Sequence, residues 1–255
     1  MASSAVSMQL FALAGMPLVQ PGDDLAALIL DALKASGLSL QSGDVLAVAQ
    51  KIVSKSEDRY VSLEGFEPSA RAAHLAQLCN KDARLVEIIL GESRGVVRAR
   101  RDVLVVEHRL GCVLANAGVD ASNIGDEGRV LLLPLDPDAS SRRLAADIGK
   151  ATGASVGVLI NDSWGRAWRM GTVGTALGLA GVPGVEDLRG VADLFGRKLR
   201  SSELGVADEL AAAASLMMGQ AGEGHPVVLV RGFPYALRDS SAAEMIRPRS
   251  LDLFR

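Results

Sequence analysis

The chain has few aromatic residues, little cysteine and no excess of positive charge. Aromatics are 4% of its 255 residues, so a core has to be assembled from Ala, Leu and Val. The two cysteines, Cys79 and Cys112, stand far apart and outside any CxxC pair. That excludes a disulfide scaffold, and each reads as a small buried apolar residue. Lys and Arg number 27 against 30 Asp and Glu, for a net charge of -3. A nucleic-acid binder carries a clustered positive excess that displaces counterions from phosphates. Here the densest basic run (Arg94, Arg98, Arg100, Arg101) is interleaved with Glu92, Asp102 and Glu107, which reads as a solvated face. No run approaches the ~20 apolar residues that span a bilayer. The apolar stretch from Met8 to Val19 has no basic residue before it, so it reads as a first strand and not as a secretory signal. A cytoplasmic protein that binds neither nucleic acid nor membrane is expected.

Several catalytic signatures are also missing. There is no GxxxxGK[ST] phosphate loop, and the single GxG, Gly222-Glu223-Gly224, is followed by His and Pro and opens no helix. P-loop and dinucleotide-binding readings therefore fall away. His74, His108 and His225 are isolated, without zinc-ligand spacing. There is no GxSxG elbow.

What remains is an ordinary globular composition, 49% apolar and 22% charged, enough for one domain over residues 1–255. A smaller lobe around 55–115 is compatible with the pattern. Gln9 to Ala14, Asp44 to Ala49, Val113 to Ala115, Val130 to Leu133, Ser155 to Ile160 and Val227 to Val230 read as strands. Val96 to Val106 reads as a strand pair. A helix capped by Asp23 or Asp24 places Leu25, Leu28, Ile29, Ala32 and Leu33 on one face and closes at Gly37. Further helices run from Pro68-Ser69 to Cys79, from Lys81 to Leu90, from a cap at Asp138 or Ser140 to Thr152, and from Val206 to Met218. A short one spans Ala242 to Ile246. Strands and helices mix without regular alternation, which predicts α+β with mixed or antiparallel sheets and flanking helices.

Four segments could carry chemistry. Gly118-Val119-Asp120-Ala121-Ser122-Asn123 can present a carboxylate and an amide to a metal–phosphate site, and it reads equally as an Asx turn. Asn161-Asp162-Ser163-Trp164-Gly165-Arg166-Ala167-Trp168-Arg169 holds both tryptophans. Asp162 and Ser163 offer oxygens to a cation, Arg166 and Arg169 suit phosphate or carboxylate, and either indole can stack on a flat ring. The alternative is that the tryptophans are core and the charges cap a turn. Gln50, Lys51 and Lys55 follow a strand and could meet phosphate, or simply be solvated. Met218-Gly219-Gln220-Ala221-Gly222-Glu223-Gly224-His225 could let backbone approach a ligand, or be a helix C-cap at Gly219. The glycines from Gly171 to Gly184 read as tight packing and carry no chemistry.

Taken in order, these motifs resemble the coenzyme F420-0:γ-glutamyl ligase family. The matching stretches are Ala49–Lys55, Val119–Asn123, Leu133–Asp138, Asn161–Arg169, Asp187–Gly190, Ala207–Leu210 and Met218–Gln220, and they cover about residues 10 to 235. Each is short; their order and spacing make the likeness specific. The resemblance implies the family's fold, an intertwined homodimer and GTP-dependent amide formation. The terminal carboxylate of coenzyme F420-0 would be activated, as an acyl phosphate, and attacked by the amine of L-glutamate, with further γ-linked additions.

It also implies two divalent cations, Mg2+ or Mn2+, and a monovalent cation, K+. Asp120 and Asp162 correspond to ligands of the first divalent ion, and Ser163 and Gln220 to ligands of the second. Nucleotide contacts correspond to Met16, Pro17, Leu18, Val19, Gln50, Lys51, Lys55, Asn123 and the Met218 to His225 loop. Ser163 stands where the family often has Thr, which keeps the hydroxyl. Gln50 and Lys51 stand where archaeal relatives carry smaller residues. Trp164, Arg166 and Arg169 are our own candidates for a deazaflavin-phosphate subsite. The chain resembles the stand-alone form of the ligase, or the ligase domain of a fusion with a flavin domain. A two-metal phosphohydrolase acting on GTP or another phosphate ester stays open beside it, as does a non-catalytic deazaflavin-precursor carrier.

Overall fold

The computed structural model describes residues 6–122 and 128–253. In chain order the elements are β1 (Gln9–Ala12), α1 (Leu25–Ala35), β2 (Val45–Ala49), α2 (Gln50–Ser56), β3 (Tyr60–Ser62), α3 (Ala70–Cys79), α4 (Ala83–Gly91), β4 (Ser93–Arg100), β5 (Val103–His108), β6 (Val113–Ala115) and β7 (Arg129–Leu131). They continue with α5 (Pro137–Thr152), β8 (Gly157–Arg166), β9 (Arg169–Ala180), β10 (Glu186–Asp187), β11 (Glu203–Leu204), α6 (Val206–Met218) and β12 (Val227–Arg231). The architecture is α+β with mixed and antiparallel sheets, as expected.

The central sheet runs β1-β12-β2-β8-β9, antiparallel except for the parallel β2–β8 pair. Alternation along its strands divides the core in two. Leu46, Val48, Val158, Ile160, Val227 and Leu229 turn to the face covered by α1, α2 and α5. Val45, Ala47, Leu159, Val228 and Val230 turn to α6, whose Ala207, Leu210, Ala211 and Ala214 are buried there. Small residues let this helix lie close to the sheet. A Cβ on Gly174 would collide with the Ala211 carbonyl, and one on Gly178 would sit 2.5 Å from the Pro137 backbone. A separate apolar cluster joins α3 and α4 to β5 through Ala72, Ala76, Cys79, Val86, Ile89, Leu104 and Val106. It meets the β3–β7 region through Ile88, packed with Val130 and Leu132, and through a polar network. Glu92 accepts from Arg59 at 3.2 Å and from Arg109 at 3.0 Å, while Arg59 Nε also donates to the Leu133 carbonyl at 2.9 Å.

Asp24 caps α1 through Ala27, Ser69 caps α3, and α6 has the range its apolar pattern predicts. Three expectations need correction. The helix expected from Asp138 or Ser140 starts earlier, with Asp136 accepting from Ala139 N at 2.9 Å and Pro137 at the first helical position. Proline suits that position because its missing N–H has no helical partner there. Gln50 to Ser56 is a helix and not merely a polar segment. The strand expected to stop at Ile160 continues to Arg166, because β9 supplies the ladder partners that its polar residues do not advertise.

Candidate active site

One end of the central sheet collects the predicted segments. Ala12 pairs with Val228, Val48 with Val227, and Ala49 with Asn161. The carboxyl ends of β1 and β2, the point where β8 outruns β2, and the chain entering β12 therefore coincide. Met16 to Val19 follows β1, Gln50 to Lys55 follows β2, and Met218 to His225 precedes β12. The last of these is pinned to β2 by Ala49 N donating to Pro226 O at 2.7 Å. Carboxyl ends of parallel strands where the topology switches are where open sheets bind ligands.

Asp120 joins this end by a long-range ion pair. It forms an isolated bridge with Leu131, and its carboxylate lies 2.5 Å from Lys51 Nζ on the first turn of α2. Lys51 also donates to the Ser122 carbonyl at 3.0 Å. Ser122 returns its N–H and hydroxyl to Asp120 Oδ1, each at 2.8 Å. The loop is thus an Asx turn and a charged site at once. Just before it, Asn116, Ala117 and Gly118 all have φ between 54° and 65°. Two of these are non-glycine residues in the left-handed region, a conformation that costs energy and has to be held by its surroundings. Asn123 lies outside the described residues.

Asp162 stands on β8 beyond the end of β2. Its Oδ1 accepts from Ser163 N and its Oδ2 from Trp164 Nε1, both at 2.8 Å. Burial raises its carboxyl above the usual range, those two bonds oppose the rise, and the charge of Asp120 adds to it. Asp120 goes the other way: burial would raise it, but the Lys51 and Ser122 bonds outweigh burial and hold it low. Lys55 is lowered by burial and by the positive charge of Lys51, with Asp120 opposing. The two carboxylates and two lysines therefore share one electrostatic neighbourhood.

Strand alternation sorts the remaining candidates. Trp164 packs with the α1–α2–α5 face, so Asp162 lies on that side. Asn161 and Ser163 turn toward α6. Asn161 Nδ2 reaches Met218 Sδ at 3.4 Å, and Ser163 pairs with Gly174, which abuts Ser215. Ser215 in turn accepts from Gln220 Nε2 at 3.0 Å, so Gln220 comes to the Ser163 rung. Asp162 and Ser163 thus flank the open edge of β8 from its two faces. The buried Asn161 Oδ1 has no protein partner there, an acceptor turned into the same region. Gly219 is the C-cap residue of α6, with φ of 74°. Glu223 accepts from Ala221 N at 2.7 Å and folds the loop on itself.

The tryptophans separate. Trp164 is half-buried. Trp168 is 79% exposed at the hairpin tip, where Arg166 and Arg169 also lie exposed and Arg166 donates to Gly171 O at 3.1 Å. Of the Met16–Val19 turn, Val19 is core and Leu18 is exposed. Two contacts carry no sequence signal: the Lys51–Asp120 pair and the indole bond to Asp162. A cavity of about 490 Å³ between α1, α2 and α5 contains none of these residues. A second, about 400 Å³, is walled in part by Trp164 and Cys112.

The donor set fits hard cations in the company of phosphate. Two carboxylates supply charge, Ser163 and Gln220 supply neutral oxygens, and Lys51 and Lys55 complement phosphate. Among the described residues no group of three or more His, Cys, Asp or Glu is assembled for a metal. A divalent ion here would complete its shell with water and phosphate oxygens, as Mg2+ commonly does.

Fold and site together define a class: an α+β protein with two carboxylates and two lysines gathered at the switch point of a mixed sheet. More particularly, the chain belongs to the F420-0:Gamma-glutamyl ligase family, whose model matches residues 15–232. It is 47% identical over 252 residues to the coenzyme F420:L-glutamate ligase of Methanothermobacter thermautotrophicus, covering 98% of this chain and 100% of the relative. It is 46% identical to that of Methanopyrus kandleri over 93% of each chain, and 43% identical to that of Archaeoglobus fulgidus over 97% and 96%. The family is one of ligases, and the chain is an enzyme of that class.

Proposed function

We propose that the protein joins L-glutamate to coenzyme F420-0 at the expense of GTP and adds further glutamates through γ-linkages. The observation that carries this is the convergence of Asp120, Asp162, Lys51 and Lys55 at the end of the sheet, in a chain that matches the ligase family over residues 15–232. A carboxylate is a poor electrophile. In the first step its oxygen attacks the γ-phosphorus of GTP, forming an acyl phosphate and releasing GDP. In the second the glutamate amine attacks the acyl carbon, phosphate leaves with the bonding pair, and the nitrogen sheds a proton. Phosphoryl transfer of this kind depends on positioning and on charge neutralisation.

Asp120 and Asp162 would hold one divalent cation, and Ser163 and Gln220 a second that leans on the nucleotide's phosphates; Mg2+ or Mn2+ suits both, with K+ as a monovalent companion. When bound, such ions neutralise charge on the phosphoryl oxygens. Lys51 and Lys55 would face those oxygens. Gln50, Asn123, the Met16, Pro17, Leu18 and Val19 turn and the Met218 to His225 loop would frame the nucleotide.

The same proposal includes an intertwined homodimer. It is supported by large apolar side chains left in solvent on two stretches, Trp168 and Met170 (97%) on the hairpin and Leu194 (99%) and Phe195 (89%) after β10. Exposed apolar groupings of this kind mark interaction sites. No helix among the described residues is long and apolar enough to cross a membrane, in keeping with the cytoplasmic setting we propose.

Phosphate release from GTP tests the reading. Release that requires coenzyme F420-0, L-glutamate and a divalent cation together is expected. Release that continues at the same rate without the two acceptors would make the protein a phosphohydrolase.

A further inference from the structure

We propose that the cavity beside Trp164 receives the fused-ring end of the deazaflavin substrate, and that the Asp208 carboxylate accepts the N–H of its pyrimidinedione edge. This rests on the ligase reading above and assigns the place of its largest substrate. The cavity has about 400 Å³, within the range of small-molecule sites. Leu110, Leu135, Pro137, Leu177, Met245 and Ile246 give its lining an apolar part, together with Trp164.

Its charged lining is wholly acidic: Asp136, Asp138 and Asp208, with no Lys or Arg among the described residues that form it. Phosphate, a nucleotide tail or free glutamate would be repelled there. A neutral planar heterocycle with an N–H donor at one edge is what such a lining accepts.

Two of the three acids are already used within the fold. Asp136 caps α5, and Asp138 accepts from Leu179 N, Ser241 Oγ and Ala242 N. Asp208 has one such bond, from Ala176 N to Oδ1 at 2.9 Å. Its other oxygen has no partner among the described residues, and the residue is part of the cavity lining. Burial pushes this carboxyl up, against the Ala176 bond, and a ligand donor would relieve that cost.

The cavity also leads to the reacting end. Trp164 lines the cavity while its Nε1 donates to Asp162 Oδ2 at 2.8 Å. A ring seated here sends its tail past Trp164 toward Asp162, where the terminal carboxylate has to be activated.

The test is a fluorescence titration of the full chain with coenzyme F420-0, with a 5-deazariboflavin lacking the phosphate tail, and separately with GTP. Asp208→Asn keeps an acceptor for Ala176 while removing the charge, and Ala243→Trp adds bulk at another residue of the cavity lining. Each variant is expected to weaken both deazaflavins about tenfold or more while leaving GTP affinity unchanged. Either variant binding both deazaflavins like the parent, with an intact circular dichroism spectrum, would overturn the assignment. So would a parallel loss of GTP binding, or a parent that binds coenzyme F420-0 but not the tail-less ring. A parent that binds neither deazaflavin would sink the ligase reading itself, and the occupant with it.

Discussion

At the scale of single residues, the two carboxylates of the site are held in opposite states. Lys51 keeps Asp120 ionised, while Asp162 is buried against an indole and resists ionisation. That asymmetry places a local cost where the proposed cation would bind. Asp162→Asn removes the charge and leaves an amide oxygen to accept from the backbone or the indole. Its melting temperature, measured without divalent ions, is expected to equal or exceed the parent's, while turnover falls about a hundredfold or more. Undiminished turnover in this variant would remove Asp162 from the site.

Glu92 shows the reverse arrangement. Burial would raise its carboxyl, but the His108 ring 3.5 Å away and the bonds and charges of Arg109 and Arg59 outweigh it and bring it down to about 2. Because the folded value lies below the ordinary 4.5, its contribution to stability is complete above that pH and fades as pH falls toward 2. Glu92→Gln is expected to cost about 2–3 kcal/mol near neutrality, with the gap to the parent closing in denaturation curves taken from pH 4.5 downward. A gap that stayed constant with pH would contradict the network.

At the scale of elements, close approach decides whether α5 and α6 can clasp the β8–β9 hairpin. Gly178 pairs with Ile160 beside a bulge that leaves Leu177 unpaired, and Pro137 sits where its Cβ would be. Gly178→Ala has to move backbone and is expected to destabilise by about 1–3 kcal/mol in urea denaturation. A change of a few tenths would mean that the helix yields freely.

Elements with an apolar rhythm were legible in the chain. α1 shows its stripe and its aspartate cap, and α6 shows alanine and leucine at helical spacing after a turn. α2 was not: Gln50 to Ser56 is short, has no side-chain cap and owes its helical state to Ile52 and Val53 packing into the core. The outer half of β8 was hidden for a related reason. Its polar residues belong to a strand only because β9 pairs with them. The site followed the same division. Asp120, Asp162 and the glycine-rich loop could be picked out by type and order. That Lys51 closes on Asp120, that Trp164 bonds Asp162, and that Asp208 lines a cavity with one oxygen unpartnered among the described residues are products of tertiary contact alone.

At the scale of the whole molecule, the proposed dimer rests on the exposed side chains of Trp168, Met170, Leu194 and Phe195. Phe195→Asp is expected to shift the mass measured by light scattering from two chains toward one, since a desolvated charge at an interface is costly. An unchanged dimeric mass would place the interface elsewhere.

The central claim is that the end of the five-stranded sheet makes an amide bond and not merely a phosphate. Mass spectrometry of coenzyme F420-0 incubated with the protein, GTP, L-glutamate and a divalent cation tests it most directly. The account predicts mass increments of one or more glutamyl residues that vanish when GTP or the cation is omitted. Coenzyme F420-0 recovered at its original mass, with GTP consumed and the protein folded, would contradict it.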